Sequence, residues 1–196
     1  MKQPSSFVAL LCLCLLPALV SGFVAPTRAV AQTEGFSINR FDVSERGSDW
    51  FVGDSLDLRS HGPVRPSVGF VLDYANKPLV LYSDEGVERA VIVKDQFYGH
   101  FGASLVIAER VRLALNVPVA FMTNGQSAAW LDRTIAANSG TTLGDLRIGA
   151  DLRLVGRYGG PATLALGAQV YVPTGQQTYF TGDGAVRLTP HLSLAG

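Results

Sequence analysis

The sequence predicts an all-β protein: an up-and-down, antiparallel transmembrane β-barrel preceded by an N-terminal signal peptide. Three observations predict it. Apolar and polar residues alternate with a period of two over stretches of about 10–12 residues, whereas strands of soluble sheets favour about five or six and strands crossing an outer membrane need about 9–11. The polar face carries charges of both signs among glycines and alanines, which suits a barrel lumen. The connections alternate between short and long.

Residues 1–31 have the parts of a secretory signal peptide. Lys2 provides the positive start, and an apolar run covers residues 7–16. Ala29-Val30-Ala31 supplies the small-x-small pattern of a cleavage site, and an earlier site after Gly22 also fits. The run is shorter than the roughly 20 apolar residues that a membrane-spanning helix needs. We therefore expect cleavage and export.

Cleavage changes the composition of the chain. Cys12 and Cys14 lie in the removed segment, so the mature chain has no cysteine and no disulfide. Loss of Lys2 and Arg28 leaves 14 of the 16 basic residues against 16 acidic ones, a net charge of about −2. The mature chain has no basic run, which argues against nucleic acid as a partner. It also has no apolar segment long enough for a transmembrane helix, so any passage through a membrane would use strands.

The alternation is sharpest between residues 111 and 121. One face carries Val111, Leu113, Leu115, Val117, Val119 and Phe121. The other carries Arg112, Ala114, Asn116, Pro118 and Ala120. A helix would place Arg112 and Asn116 among the apolar side chains, so a strand is favoured.

Similar patterns predict the other strands and the organisation of the chain. Strands are expected near residues 66–74, 78–82, 90–107, 111–121, 144–155, 162–172 and 185–196. Residues 32–63 would form an N-terminal periplasmic segment that leads into the barrel, and residues 64–196 the outer-membrane barrel. Because residues 191–196 still alternate and end without a terminal aromatic residue, we expect the barrel to be truncated at its C-terminus.

The connections give the strands a direction. Tight turns are predicted at residues 76–77, 108–110 and 157–160, and long loops at 83–89, 122–143 and 173–184. Outer-membrane barrels have short periplasmic turns and long external loops. This assignment places Tyr74 near the inner membrane interface.

Several polar side chains are candidates for lining the lumen. They are Arg112, Asn116, Arg147, Asp151, Arg153, Gln169, Arg187 and His191. The arginines could favour anions in a pore, or they could pair with Asp145 and Asp151 and fill a narrow barrel. The second interpretation is favoured.

No catalytic, cofactor or metal site is predicted. His61, His100 and His191 are far apart in the sequence, and none has a second histidine at ligand spacing. His100 and Ser104 share a strand face, but four residues of strand separate them by about 13 Å. We therefore expect a protein that is not an enzyme and has no cofactor.

Five motifs, in this order, carry a resemblance to a known family. They are Phe36-Ser37-Ile38-Asn39-Arg40-Phe41, Asp73-Tyr74-Ala75-Asn76-Lys77-Pro78-Leu79-Val80-Leu81, Leu113-Ala114-Leu115-Asn116-Val117-Pro118-Val119, Leu143-Gly144-Asp145-Leu146-Arg147 and Val172-Pro173-Thr174-Gly175. The set resembles the N-terminal barrel of OmpA-family outer-membrane proteins of the myxobacterial type, over nearly all of residues 36–196. The resemblance implies outer-membrane lipid and the barrel assembly machinery as partners. It implies attachment to peptidoglycan only through a domain that this chain lacks.

The function expected from the sequence is that of an outer-membrane barrel with a structural role in envelope integrity and with surface-exposed loops. The first alternative is an outer-membrane porin or solute channel. The second is a soluble periplasmic β-sandwich that binds a ligand, in which the apolar strand faces would pack against a second sheet.

Overall fold

The main element of the protein is an antiparallel β-sheet that curls into a half-barrel. A computed structural model describes residues 35–50, 52, 57–60, 62–130, 133–157 and 159–195. The predicted signal peptide, residues 1–31, lies outside the described residues. Within the described ranges, no helix has the length and apolar character needed to cross a membrane.

Nine strands are described. They are β1 (Val64–Tyr82), β2 (Glu88–Ile107), β3 (Val111–Gly125), β4 (Ala128–Trp130), β5 (Arg133–Ile135), β6 (Gly140–Leu143), β7 (Leu146–Val155), β8 (Thr163–Val172) and β9 (Arg187–Ala195). The sheet has the order β1-β2-β3-β7-β8-β9, and β6 also pairs with β3. Strands β4 and β5 form a separate hairpin. A short 3-10 helix, Gln177–Tyr179, lies between β8 and β9. The all-β, antiparallel prediction is confirmed, and β1 and β9 form the two edges of the described sheet.

The predicted alternation decides which side chains face each side of this sheet. On β3, Leu113 and Leu115 are 46% and 41% exposed, whereas the intervening Ala114 is 6% exposed. The same alternation of exposed apolar and buried polar residues runs along β7. The convex face is therefore apolar and exposed, and the concave face is polar and buried. Ile148 and Leu166 of the same face are also exposed, at 46% and 50%, whereas in a sandwich a second sheet would bury them.

The turn predicted at residues 76–77 is wrong. Strand β1 continues through it to Tyr82, and β2 pairs with β1 on both sides of it. Asn-Lys-Pro has the composition of a turn, but here it forms an irregularity in the register, with Lys77 at φ 47°. Tyr74 pairs with Phe97 and so lies far from the start of β1, which reverses its predicted position.

The connections fall at two ends of the sheet. The turn end holds the tight turn 108–110 and the connection 156–162, together with the start of β1. The loop end holds the connections 83–87, 126–145 and 173–186. The predicted tight turn at 108–110 and the long loop that begins at 173 are confirmed. The loop predicted at 122–143 is confirmed only in part, because β3 continues to Gly125 and β4, β5 and β6 lie within the remainder.

A small apolar core lies at the loop end. Ile92 and Val93 of β2 are fully buried there, against Ala137 and Phe180 of the two long connections. Ile38, from the segment that precedes the sheet, packs against the same cluster. The loops therefore fold over the concave face and are held by burial of apolar surface.

Candidate lumenal surface

The concave face collects all the side chains that the sequence assigned to a lumen. Six of them are at most 8% exposed. They are Arg112, Asn116, Arg147, Asp151, Arg153 and Gln169. Arg187 and His191 lie on the edge strand β9 and are less buried. The period of two thus identified one shared polar surface, because alternate residues of every strand point to the same side of a sheet.

Asp151 links three strands of this surface. Its carboxylate accepts a hydrogen bond from Arg112 Nε at 2.9 Å and lies 2.7 Å from His191 Nε2. The Arg112 and Asp151 side chains are 3% and 6% exposed. A Cβ at Gly167, between them on β8, would lie 2.3 Å from both Asp151 Oδ1 and His191 Nε2. The absence of a side chain at Gly167 therefore makes room for the cluster.

A segment that precedes the sheet covers the concave face. We call it the N-terminal strap, residues 35–50 and 57–60. Its contacts centre on Arg147, which donates to Val43 O at 2.6 Å, contacts the carboxylate of Asp42, and lies 3.4 Å from Glu45 Oε2. The Glu45 side chain is only 3% exposed and also approaches Gln169 Nε2 at 3.4 Å. The strap thus brings two acidic groups to a surface that is rich in arginine.

Arg46 fixes the strap to the opposite side of the half-barrel. Its guanidinium donates to Gly69 O at 3.1 Å and to His100 O at 2.9 Å. Gly69 and Gly102 are directly paired between β1 and β2. A Cβ at Gly102 would lie 2.5 Å from Arg46 Nε. These glycines allow the close approach of the strap to the sheet.

His100 and Asp73 form a second anchoring point. His100 Nε2 lies 2.5 Å from Asp73 Oδ2, and the Asp73 carboxylate also accepts a hydrogen bond from Asn39 of the strap at 3.0 Å. The ring of Phe41 packs edge-on against the His100 ring, with 5.7 Å between centroids. Polar and aromatic contacts therefore hold the strap at the same place.

The predicted pairing of the arginines with acidic residues is half right. Asp151 pairs with Arg112, but Asp145 accepts hydrogen bonds from the backbone N–H groups of Gly175 at 3.0 Å and Asp183 at 2.9 Å. Asp145 follows β6 rather than lying within a strand, so the period of two did not apply to it. Its carboxylate tethers the β8–β9 connection.

The acidic partner at the loop end is Asp183. It accepts from Arg40 of the strap at 2.9 Å and from Arg187 at 3.1 Å. Burial by itself would raise the pKa of Asp183, but the hydrogen bonds and charge of Arg40 outweigh it, so this pKa is lowered. Arg187 also stacks over the ring of Tyr171, 3.9 Å from its centroid.

Asp57 ties the strap to the start of the sheet at the turn end. The Arg59 side chain donates to its carboxylate at 2.9 Å and Arg65 of β1 donates at 3.1 Å. Burial by itself would raise the pKa of Asp57, but the hydrogen bonds from Arg59 and Arg65 lower it to about 2. Nearby, Arg153 lies 4.0 Å from Glu109 in the tight turn.

A cavity of about 240 Å³ remains between the strap and the sheet near the loop end. Arg40, Asp42, Tyr98, Arg147 and Asp183 are among its lining residues. The buried Tyr98 hydroxyl has no hydrogen-bond partner within the described residues. The cavity is large enough for several water molecules. Within the described ranges, no three metal-ligating side chains converge.

Sequence reasoning identified the sheet side of this surface and missed the strap side. Asp42, Glu45 and Arg46 lie in a segment that has only an isolated bridge, between Val43 and Val52. Such a segment has no regular period, so its pattern could not show which side chains face inward. The available signal was the glycine-rich concave face, since paired glycines in a strand indicate the close approach of another backbone or side chain.

Comparison with protein-family models, with curated proteins and with solved structures gives no match to the chain.

Proposed function

We propose that the chain is part of an outer-membrane β-barrel whose role is structural: it spans the outer membrane, contributes to envelope integrity and presents loops at the cell surface. The observation that carries this proposal is the exposed, apolar convex face. Exposed apolar patches of this extent on a soluble protein favour association or aggregation. Lipid hydrocarbon is the partner that suits a face formed by all the long strands at once.

The dimensions of this face support lipid as the partner. On β3 the convex face runs from Val111 to Phe121, ten residue steps of about 3.4 Å each. With a strand tilt of about 40°, this length gives an apolar band about 25 Å tall, which is the height found in outer-membrane barrels. Within residues 111–121, 146–154 and 164–172, the outward positions of the described strands carry no charge.

The asymmetry of the two ends supports the direction of insertion. The two longest connections, 126–145 and 173–186, lie at the loop end. By the pattern of outer-membrane barrels, the turn end faces the periplasm and the loop end faces outward. Tyr74, Phe97 and Phe121 lie toward the loop end, where interfacial aromatic residues are common in such barrels.

The filled concave face favours a structural role over a conducting pore. The strap occupies the surface that a pore would leave to water, and Arg112, Arg147 and Glu45 are almost fully buried. The resemblance to OmpA-family barrels agrees with this role. A membrane-spanning sheet must pair its outer edges, so the proposal includes further strands that close the barrel between β9 and β1.

Two measurements test the proposal. After expression with its signal peptide, the protein should fractionate with outer membranes and stay there through an alkaline carbonate wash. Release by the wash, together with a known periplasmic protein, would contradict membrane insertion and favour the soluble alternative. In planar bilayers the full-length protein should give no stable single-channel steps, and regular steps would favour the channel alternative.

A further inference from the structure

The N-terminal strap runs across the concave face from the loop end to the turn end. At the loop end, Ile38 N donates to Phe180 O at 3.2 Å, and Ser37 N donates to Asp183 Oδ1 at 3.1 Å. Phe36 packs edge-on against Phe180, with 6.4 Å between ring centroids. The first described residues of the strap are therefore held by the β8–β9 connection.

The middle of the strap lies against the middle of the sheet. Glu45 contacts Arg147 at 3.4 Å, and Ser104 Oγ donates to Arg46 O. Ser104 lies next to Gly102, which would clash with Arg46 if it had a side chain. These contacts join β2 on one side of the half-barrel to β7 on the other, so the strap lies within the curve of the sheet.

The last part of the strap reaches the turn end. Asp57 is held by Arg65 at the start of β1, and Ser60 N lies 3.4 Å from Glu109 Oε1 in the tight turn. Pro63 O accepts from Ala108 N at 2.9 Å. The described parts of the strap therefore contact the concave face at the loop end, in the middle and at the turn end, before β1 begins and runs back toward the loop end.

From this path we propose that the strap is threaded through the barrel lumen, which places the N-terminal end of the mature chain at the cell surface together with the long loops. This inference rests on the proposed function. It replaces the periplasmic position expected for residues 32–63 with a lumenal path that leads to the exterior. The start of the strap, near Gly35, would then lie beside the long loops.

The cost of burying charge supports a threaded strap rather than a loosely resting one. An unpaired buried carboxylate is expensive in free energy, yet Glu45 is 3% exposed in contact with Arg147, itself 4% exposed. Each group offsets the charge of the other, and Arg147 also donates a hydrogen bond to Val43 O of the strap. Removal of the strap would leave Arg147 without Asp42, Val43 O and Glu45 as partners on the concave face.

Cysteine labelling on intact cells tests the proposal. The expected mature chain contains no cysteine, so single variants can be labelled with a membrane-impermeant maleimide. Glu34→Cys marks the position just before the strap, Glu85→Cys marks the loop end, and Arg110→Cys marks the turn end. Labelling of the urea-denatured protein gives the total amount of reactive cysteine in each variant. The wild-type protein, labelled in the same way, shows that Cys12 and Cys14 of the signal peptide do not contribute.

The expected result is labelling of residues 34 and 85 on intact cells, with residue 110 labelled only after the outer membrane is permeabilised. Labelling of residue 34 only after permeabilisation, with residue 85 still accessible on intact cells, would overturn threading and leave the barrel standing. Protection of residue 34 under both conditions would overturn it as well. Equal labelling of residues 85 and 110 would instead contradict the membrane topology, and with it both proposals.

Discussion

Leu115→Arg is expected to lower the free energy of unfolding in a bilayer by about 2–4 kcal/mol, because it places a charge near the middle of the apolar band. Leu115 is 41% exposed on the convex face of β3 and lies between Val111 and Phe121, which mark the ends of that band. An arginine at this depth must leave water or distort the bilayer. The measurement is urea unfolding of the protein in phospholipid vesicles, followed by the fluorescence of Trp50 and Trp130.

Leu154→Arg is the matched control. Leu154 is also a convex leucine, 47% exposed, but it lies six residues beyond Ile148, the partner of Leu115 on β7. Six strand residues at about 3.4 Å each, with the strand tilt, move it about 15 Å toward the turn end. Near the membrane interface the same substitution should cost about 0–1 kcal/mol. Equal costs for the two variants would refute the reasoning, because on a face in contact with water the cost of an arginine does not depend on its position along the strand.

Three further predictions concern the concave face and its strap. Asp151→Asn should cost about 3–5 kcal/mol of unfolding free energy, because it removes a buried charge partner. Glu88→Gln, which breaks the exposed ion pair between Glu88 and Lys77, should cost less than about 1 kcal/mol. Similar losses on urea unfolding would count against a buried network. The pKa of Asp57 is lowered to about 2 when the protein is folded, against about 3.9 when it is unfolded. The ionised Asp57 carboxylate therefore contributes to the free energy of unfolding above about pH 4, and this contribution is lost as the pH falls from about 4 to about 2. Asp57→Asn should flatten this part of the curve measured by urea unfolding at each pH, and an unchanged curve would contradict the assignment. Gly102→Ala should loosen the strap and speed its cleavage by protease, because the new Cβ would lie 2.5 Å from Arg46 Nε. Gly62→Ala, with open space around it, should have no such effect. Equal cleavage rates would argue against a tightly packed strap.

The sheet could be predicted because its information is local. The side chains of a strand alternate between two faces whatever lies opposite them, so the exposure of Leu113 and the burial of Arg112 follow from their positions in the sequence. The same rule predicted that the side chains of Arg147 and Asp151 share one surface. What it could not give was the partner of each charge, since that depends on which strands and loops meet.

Two features escaped prediction for physical reasons. The Asn76-Lys77 pair has the composition of a turn, but the pairing of β1 with β2 on both sides of it overrides local preference. The strap has no extended secondary structure within its described residues, apart from one bridge at Val43, so no period marks its inward side. Its position is set by long-range contacts, such as Glu45 with Arg147.

The central claim is that the convex face contacts lipid hydrocarbon. A nitroxide attached at Leu166→Cys tests it most directly, because Leu166 is 50% exposed on the convex face of β8 and the expected mature chain offers no other cysteine. In vesicles, electron paramagnetic resonance should show strong collision of the label with dissolved oxygen and weak collision with a water-soluble nickel complex. Strong collision with the nickel complex, or protection from both agents by a covering protein layer, would contradict the account.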